Sequence, residues 1–103
     1  MRVAGAFLVY DEKKNRKILI KDIVHCEASV NYTTLHLKHK ILVCARTIKV
    51  VEMLLVDAGF VRIHRKYLVN IAFIHTISPE KKSLCLSNGR ILEISKRRKH
   101  FTS

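Results

Sequence analysis

Basic side chains in two short runs are the residues of this chain whose chemistry is easiest to interpret. The first run is His64, Arg65 and Lys66, and the second is Lys96, Arg97 and Arg98. Arginine can donate two parallel hydrogen bonds to a guanine edge or a phosphate, and lysine neutralises phosphate as a point charge. The two runs therefore predict a surface that binds a polyanion. The ordinary alternatives are a solvated strand edge for the first run and a basic terminal tail for the second.

A third candidate is the polar turn that contains Asn31, Tyr32 and Thr33. Amide and hydroxyl groups at a turn can bond to bases or to phosphates. The same residue types are also common in turns that bind nothing. On residue types alone, the structural interpretation of this turn is the stronger one.

The overall charge supports a polyanionic partner. Twenty Lys and Arg residues against eight Asp and Glu residues give a formal net charge of +12, far more than solubility requires. Residues 1–60 contribute ten basic and six acidic side chains, whereas residues 61–103 contribute ten and two. Such an excess attracts DNA, RNA or an anionic membrane surface, and the C-terminal part is predicted to supply much of the binding face.

Signals for catalysis or for a bound cofactor are weak. The three glycines are far apart, so the chain has no glycine-rich phosphate loop. A metal-dependent nuclease needs clustered carboxylates, and the eight acidic residues are scattered. His36 and His39 form the only close histidine pair, and a strand followed by a turn places them on opposite faces. We predict a protein that is not an enzyme and that holds no cofactor or metal; a nuclease is kept as an alternative.

The cysteines and the N-terminus indicate a cytoplasmic protein. Cys26, Cys44 and Cys85 are odd in number and form no C-x-x-C motif, so they are predicted to be small buried hydrophobes in a reducing compartment. The first apolar stretch, residues 6–10, is too short to span a membrane, and the start is a poor signal peptide. No contact with a membrane is predicted.

The apolar pattern predicts a mostly β fold with one helix, as a single domain over residues 1–103. Short alternating or apolar runs separated by turns predict antiparallel strands at residues 7–10, 17–20, 23–28, 32–37, 41–45, 60–63, 68–70, 73–77, 83–86 and 90–94. Residues 11–16 are predicted to form a turn. Ile48, Val51 and Leu55 fall on one stripe of a helix over residues 48–58, with Thr47 as its cap and Gly59 as its stop. Residues 96–101 are predicted to be a final helical turn or a basic loop.

Several segments, in this order and spacing, resemble the LytTR-type DNA-binding domain of bacterial response regulators. The most specific part is residues 60–70, FVRIHRKYLVN in one-letter code. The resemblance extends over nearly the whole chain through Asp22-Ile23-Val24, Glu27-Ala28, Asn31-Tyr32-Thr33, Arg46-Thr47-Ile48, Ile74 with Ile77, Asn88-Gly89 and Ser95-Lys96-Arg97-Arg98.

The resemblance implies an elongated fold of antiparallel sheets whose loops, rather than a recognition helix, enter successive major grooves. It implies binding of two copies to direct repeats. Family members usually carry this domain joined to a receiver domain or another sensor, so the chain is expected to be either the output domain of a response regulator or a stand-alone regulator. By position, the loops that contact bases contain residues 31–33, Arg65 with Lys66, and Arg97. We predict that Arg65 and Arg97 read base edges with help from residues 31–33, and that His64 and Lys66 contact the DNA backbone or water. Lys96 and Arg98 are predicted to belong to the same DNA-binding surface. The alternative is a non-enzymatic basic module that binds RNA or another polyanion.

Overall fold

The computed structural model describes residues 2–3, 5–11 and 14–98, and strands dominate this part of the chain. The elements, in chain order, are β1 (Arg2–Val3), β2 (Ala6–Asp11), β3 (Lys14–Leu19), β4 (Ile23–Ala28), β5 (Thr33–Leu37), β6 (Ile41–Cys44), α1 (Ile48–Leu54), β7 (Phe60–His64), β8 (Tyr67–Asn70), β9 (Ile74–Ile77), β10 (Ser83–Leu86) and β11 (Ile91–Glu93). The predicted mostly β fold with one short helix is therefore confirmed.

The strands form three antiparallel sheets. The central sheet has five strands in the order β6-β5-β4-β8-β7. The N-terminal strands form a second sheet of order β1-β2-β3, and the C-terminal strands form a third of order β11-β10-β9. The central sheet packs between these two. The molecule measures 44 × 24 × 22 Å along its principal axes, so it has the elongated shape that the resemblance implied.

Two hydrophobic cores cover opposite faces of the central sheet. Successive residues of a strand point to opposite faces, and Leu68 and Val69 of β8 accordingly belong to different cores. The first core contains the buried side of α1 and the inner face of the β2–β3 hairpin. The second core lies between the central sheet and β10 with β11. The sheet that carries the candidate loops is thus held from both sides.

The helix is shorter than its apolar pattern predicted. Ile48, Val51 and Leu55 are buried against the sheet as expected, but α1 ends at Leu54 and residues 55–59 form turns. Gly59 then has a φ of 79°, a left-handed conformation that glycine adopts without strain. The predicted cap was wrong in its detail, because Thr47 stands at the N-cap position but its side chain makes no capping hydrogen bond.

The N-terminal hairpin departs most from the predicted strands. Residues 14–16 were expected in a turn, yet they belong to β3, where Arg16 pairs with Val9 and Asn15 with Tyr10. Ile20, expected at the end of that strand, lies in a 3-10 turn, Ile20–Asp22. Backbone pairing with β2 accounts for the difference, because an edge strand can present polar side chains to solvent at little cost.

All three cysteines are free, with Cys26 and Cys44 buried and Cys85 half-buried. No helix in the described ranges is long and apolar enough to cross a membrane.

Candidate nucleic-acid interface

Three loops that are distant in sequence meet at one end of the central sheet. The antiparallel register of β4 with β8 places Glu27 opposite Tyr67, so the loop after β4 lies beside the β7–β8 turn. The backbone N–H of Ala28 donates to the carbonyl of Lys66 at 2.8 Å. The N–H of Ser95 donates to the carbonyl of Ile63 at 2.9 Å. These two bonds tie the loop after β4 and the segment after β11 to the same turn.

Arg62 holds the β7–β8 turn from inside the protein. Its Nε donates to the carbonyl of His64 at 2.8 Å, and its Nη2 donates to the carbonyl of Arg65 at 2.6 Å. Its Nη1 lies 2.8 Å from Oε1 of Glu52 on α1. The side chain is only 12% exposed, and the register of β7 against β8 shifts between Arg62 and His64. Plain strand alternation would place Arg62 and His64 together on one exposed cationic face, and the structure does not form that face.

His64 is also occupied within the protein. Its Nδ1 accepts a hydrogen bond from the backbone N–H of Lys66 at 3.1 Å, and its Nε2 lies 3.6 Å from Oε1 of Glu93. The ring packs against Tyr67 with 5.3 Å between the ring centroids. These contacts fix the turn, and they leave the side chains of Arg65 and Lys66 exposed at its tip.

The segment after β11 brings a second group of cations to the same place. Residues 96–98 form a 3-10 turn in which the N–H of Arg98 donates to the carbonyl of Ser95 at 3.0 Å. Lys96 and Arg97 are exposed and Arg98 is half-buried. An open cavity of about 280 Å³ is lined by His64, Arg65, Ser95, Arg97 and Arg98. Arg65 and Arg97, far apart in the chain, thus border one cavity; the predicted turn beyond residue 98 lies outside the described residues.

The loop after β4 completes the arrangement. The N–H of Ser29 donates to the carbonyl of Tyr32 at 2.8 Å, and this bond closes the loop. Asn31 and Tyr32 are exposed, Tyr32 at 41%. Thr33 is buried, and its hydroxyl donates to the carbonyl of Arg46 at 2.7 Å. The Thr33 hydroxyl therefore faces the interior, whereas Asn31 and Tyr32 face solvent. That Thr33 contacts DNA stays a prediction.

The exposed cations at this end have no carboxylate partners within the described ranges. They are Arg65, Lys66, Lys96 and Arg97, and the half-buried Arg98 has no such partner either. Elsewhere, some exposed lysines have such partners, as in the pairs Lys38–Asp22 and Lys82–Glu80. A patch of unmatched positive charge attracts phosphate groups, because each ion pair it forms with phosphate releases condensed counterions.

The described structure is thus a sheet domain that presents basic loops at one end, a class of fold suited to contacting nucleic acid.

The family model for the LytTr DNA-binding domain matches residues 13–101, and the chain belongs to this family. Its fold is similar to that of the LytTr DNA-binding domain of a methyl-accepting/DNA response regulator from Bacillus cereus. The TM-score is 0.81 at 19% sequence identity, over 95% of this chain and 93% of the other. No curated protein matches the sequence.

We expect Arg62→Ala to lower the free energy of unfolding by about 1–3 kcal/mol. The variant loses two hydrogen bonds from a charged donor to turn carbonyls. It also loses the ion pair with Glu52, which contributes less because the Glu52 side chain is 39% exposed to solvent. Chemical denaturation measures the change. Arg62→Lys serves as the comparison: it keeps the charge but lacks the planar fork that reaches three acceptors, so it should restore little. Full stability of Arg62→Lys would show that the fork is not what holds the turn.

Proposed function

We propose that this domain binds double-stranded DNA sequence-specifically and acts as a transcriptional regulator. The observation that carries the proposal is the convergence of three loops with five unmatched cations at one end of a rigid sheet. Membership of a DNA-binding family supports it. The proposal includes no catalytic step.

The loops have the form that direct reading of bases requires. A major groove about 12 Å wide admits a two-stranded ribbon, and the β7–β8 hairpin presents Arg65 at its tip. In this proposal Arg65 and Arg97 contact base edges, and Asn31 with Tyr32 assist from the neighbouring loop. Lys66, Lys96 and Arg98 contact phosphates. His64 and Thr33 act mainly by holding their loops, since both side chains bond within the protein.

The assembly and the surroundings of this domain are also part of the proposal. Binding of two copies to direct repeats is proposed from membership of the LytTr family. The Bacillus cereus neighbour is described as part of a response regulator, which supports attachment of this domain to a receiver domain. A location in the cytoplasm is proposed from the three free cysteines.

Binding of RNA or another polyanion is the alternative to this proposal. Proteins that recognise single-stranded RNA usually stack exposed bases on aromatic side chains. The described residues of the three loops include one exposed aromatic side chain, Tyr32, which is little surface for stacking bases. Competition between a duplex and single strands of the same length at matched salt separates the two functions. Tighter binding of the single strands would contradict the proposal.

We expect Arg65→Ala and Arg97→Ala each to weaken binding to the preferred duplex by about 1–3 kcal/mol, or roughly 5–150-fold. Each variant loses a bidentate contact to a base, so the loss on a scrambled duplex should be much smaller. The preferred duplex is first selected from a random pool, and fluorescence anisotropy then measures both affinities.

Lys21→Ala is the matched control for these two variants. It removes one exposed positive charge at the opposite end of β4, so both affinities should stay close to those of the parent protein. Equal losses on the preferred and scrambled duplexes would show that Arg65 and Arg97 contact phosphates instead of bases.

A further inference from the structure

Two histidines and a glutamate form a cluster on the central sheet, beside the loops. His25 and Glu27 lie on β4, and His36 is the cross-strand partner of His25 on β5. The Nε2 atoms of His25 and His36 lie 4.0 and 3.5 Å from Oε1 of Glu27. One donor atom from each of the three residues can be chosen so that all lie within 4.8 Å of one another. Three donors of the types that bind transition metals therefore converge on one point.

The buried ring of His25 lacks partners for its polar atoms. The side chain is 0% exposed, and neither ring nitrogen has a hydrogen-bond partner within the described residues. Burying a polar group without a partner costs free energy, and native proteins satisfy most such groups. An additional ligand next to Nε2, on the side of Glu27, would satisfy one of these two atoms.

The geometry of the two rings indicates that they are neutral. They stack with 4.1 Å between centroids and 10° between planes, an arrangement that two imidazolium ions would oppose by repulsion. Burial, together with the nearby His36 and Arg90, lowers the pKa of His25 to about 3. Burial also lowers the pKa of His36. A neutral imidazole has a free lone pair, which is the form that binds metals.

We propose that His25, Glu27 and His36 bind a divalent transition-metal ion, for which zinc is the best match, through the two Nε2 atoms and a carboxylate oxygen. Zinc binds imidazole and carboxylate at about 2.0–2.2 Å, so tetrahedral geometry places its ligand atoms roughly 3.3–3.6 Å apart. The present separations from Glu27 need only a small contraction. A metal lies in the plane of each ring that binds it, so His36, at the rim of the cluster, turns away from the stacked position when the ion binds.

Arg90 competes with the ion for the carboxylate. Its Nη2 lies 3.5 Å from Oε1 of Glu27, and its positive charge opposes a cation between the histidines. Arg90 lies in the turn between β10 and β11. Its side chain can therefore move away from Glu27 without a change in β4. Removal of its side chain should therefore strengthen metal binding, an effect that loss of a merely structural contact would not produce.

Isothermal titration of the tag-free, metal-free protein with ZnCl2 tests the proposal. We expect one zinc ion per chain and no comparable binding of Mg²⁺. His36→Gln and Glu27→Gln should each weaken zinc binding by more than about tenfold, since even supporting residues of metal sites often matter by that factor. Arg90→Gln should bind zinc more tightly than the parent protein.

His39→Gln and His75→Gln are the control variants, because both side chains are exposed and lie outside the cluster. They should bind zinc like the parent, and thermal melts should confirm that every variant compared is folded. The proposal is overturned if the parent protein binds no zinc, if His36→Gln binds it as tightly as the parent, or if the two controls weaken binding as much as the cluster variants do.

Discussion

The affinity of this domain for duplex DNA should fall about 500-fold when the salt concentration rises from about 50 to about 200 mM. Five cations at the interface, Arg65, Lys66, Lys96, Arg97 and Arg98, have no carboxylate partner within the described ranges. If each neutralises one phosphate, the logarithm of affinity changes with the logarithm of salt with a slope of about −4.5. The fourfold increase in salt then corresponds to the stated loss.

Anisotropy titrations of one duplex at several KCl concentrations give this slope directly. Lys66→Ala should make it shallower by about 0.9, because one counterion fewer is released. Lys21→Ala, at the other end of the sheet, should leave it unchanged. A parent slope shallower than about −2, or an equal change in both variants, would show that these five cations do not form the phosphate-binding surface.

Asn70→Ala should lower the free energy of unfolding by about 2–4 kcal/mol, the larger of the two stability effects expected here. The Asn70 side chain is 6% exposed and joins two segments. Its Nδ2 donates to the carbonyl of Ile23 at 2.9 Å, and its Oδ1 accepts from the N–H of Ala72 at 3.0 Å. Alanine leaves both backbone groups without this partner, and each unsatisfied group away from water costs about 1–3 kcal/mol.

Asn88→Ala is the matched control for this stability measurement. Oδ1 of Asn88 also accepts a backbone hydrogen bond, from Arg90 at 2.9 Å, but it does so in an exposed turn where water can replace it. Urea denaturation should therefore show a loss below about 1 kcal/mol for Asn88→Ala. Similar losses for the two variants would mean that the burial of Asn70 is not what makes its bonds important.

Elements with a strong local pattern were predictable from the sequence. Alternation in residues 83–86 and the Asn88-Gly89 turn identified the β10–β11 hairpin, and the stripe of Ile48, Val51 and Leu55 identified the helix. The turn predicted over residues 11–16 was too long, because Asp11 ends β2 and residues 14–16 belong to β3; residues 12–13 lie outside the described residues. Its polar composition is compatible with either a turn or an edge strand, and only pairing with β2 decides between them.

The segments that form the candidate site were predictable from the sequence. Which of their residues hold the loops and which are exposed was not. Clustered charge pointed to residues 64–66 and 96–98, and the family resemblance added residues 31–33. Charge alone could not separate Arg62, which bonds to its own turn, from Arg65, which is exposed. The difference arises from a register shift between β7 and β8, which no local pattern reveals.

The histidine cluster was also not predictable from the sequence. Spacing along the chain drew attention to His36 and His39, which lie on a strand and in the turn after it. The residue that actually faces His36 is His25, eleven positions earlier, and cross-strand register brings the two rings together. Such a pair becomes visible only when the strand pairing is known.

The internal bonding of Arg62 has a consequence for how this domain could acquire new target sites. Arg62 and His64 shape the β7–β8 turn from inside, while the side chain of Arg65 is exposed and makes no hydrogen bond or ion pair within the described residues. Under the proposal that Arg65 and Arg97 contact bases, exchange of these exposed side chains alters the preferred DNA sequence with little penalty to folding. A new target site then requires changes at positions 65 and 97 only, on an otherwise unaltered scaffold.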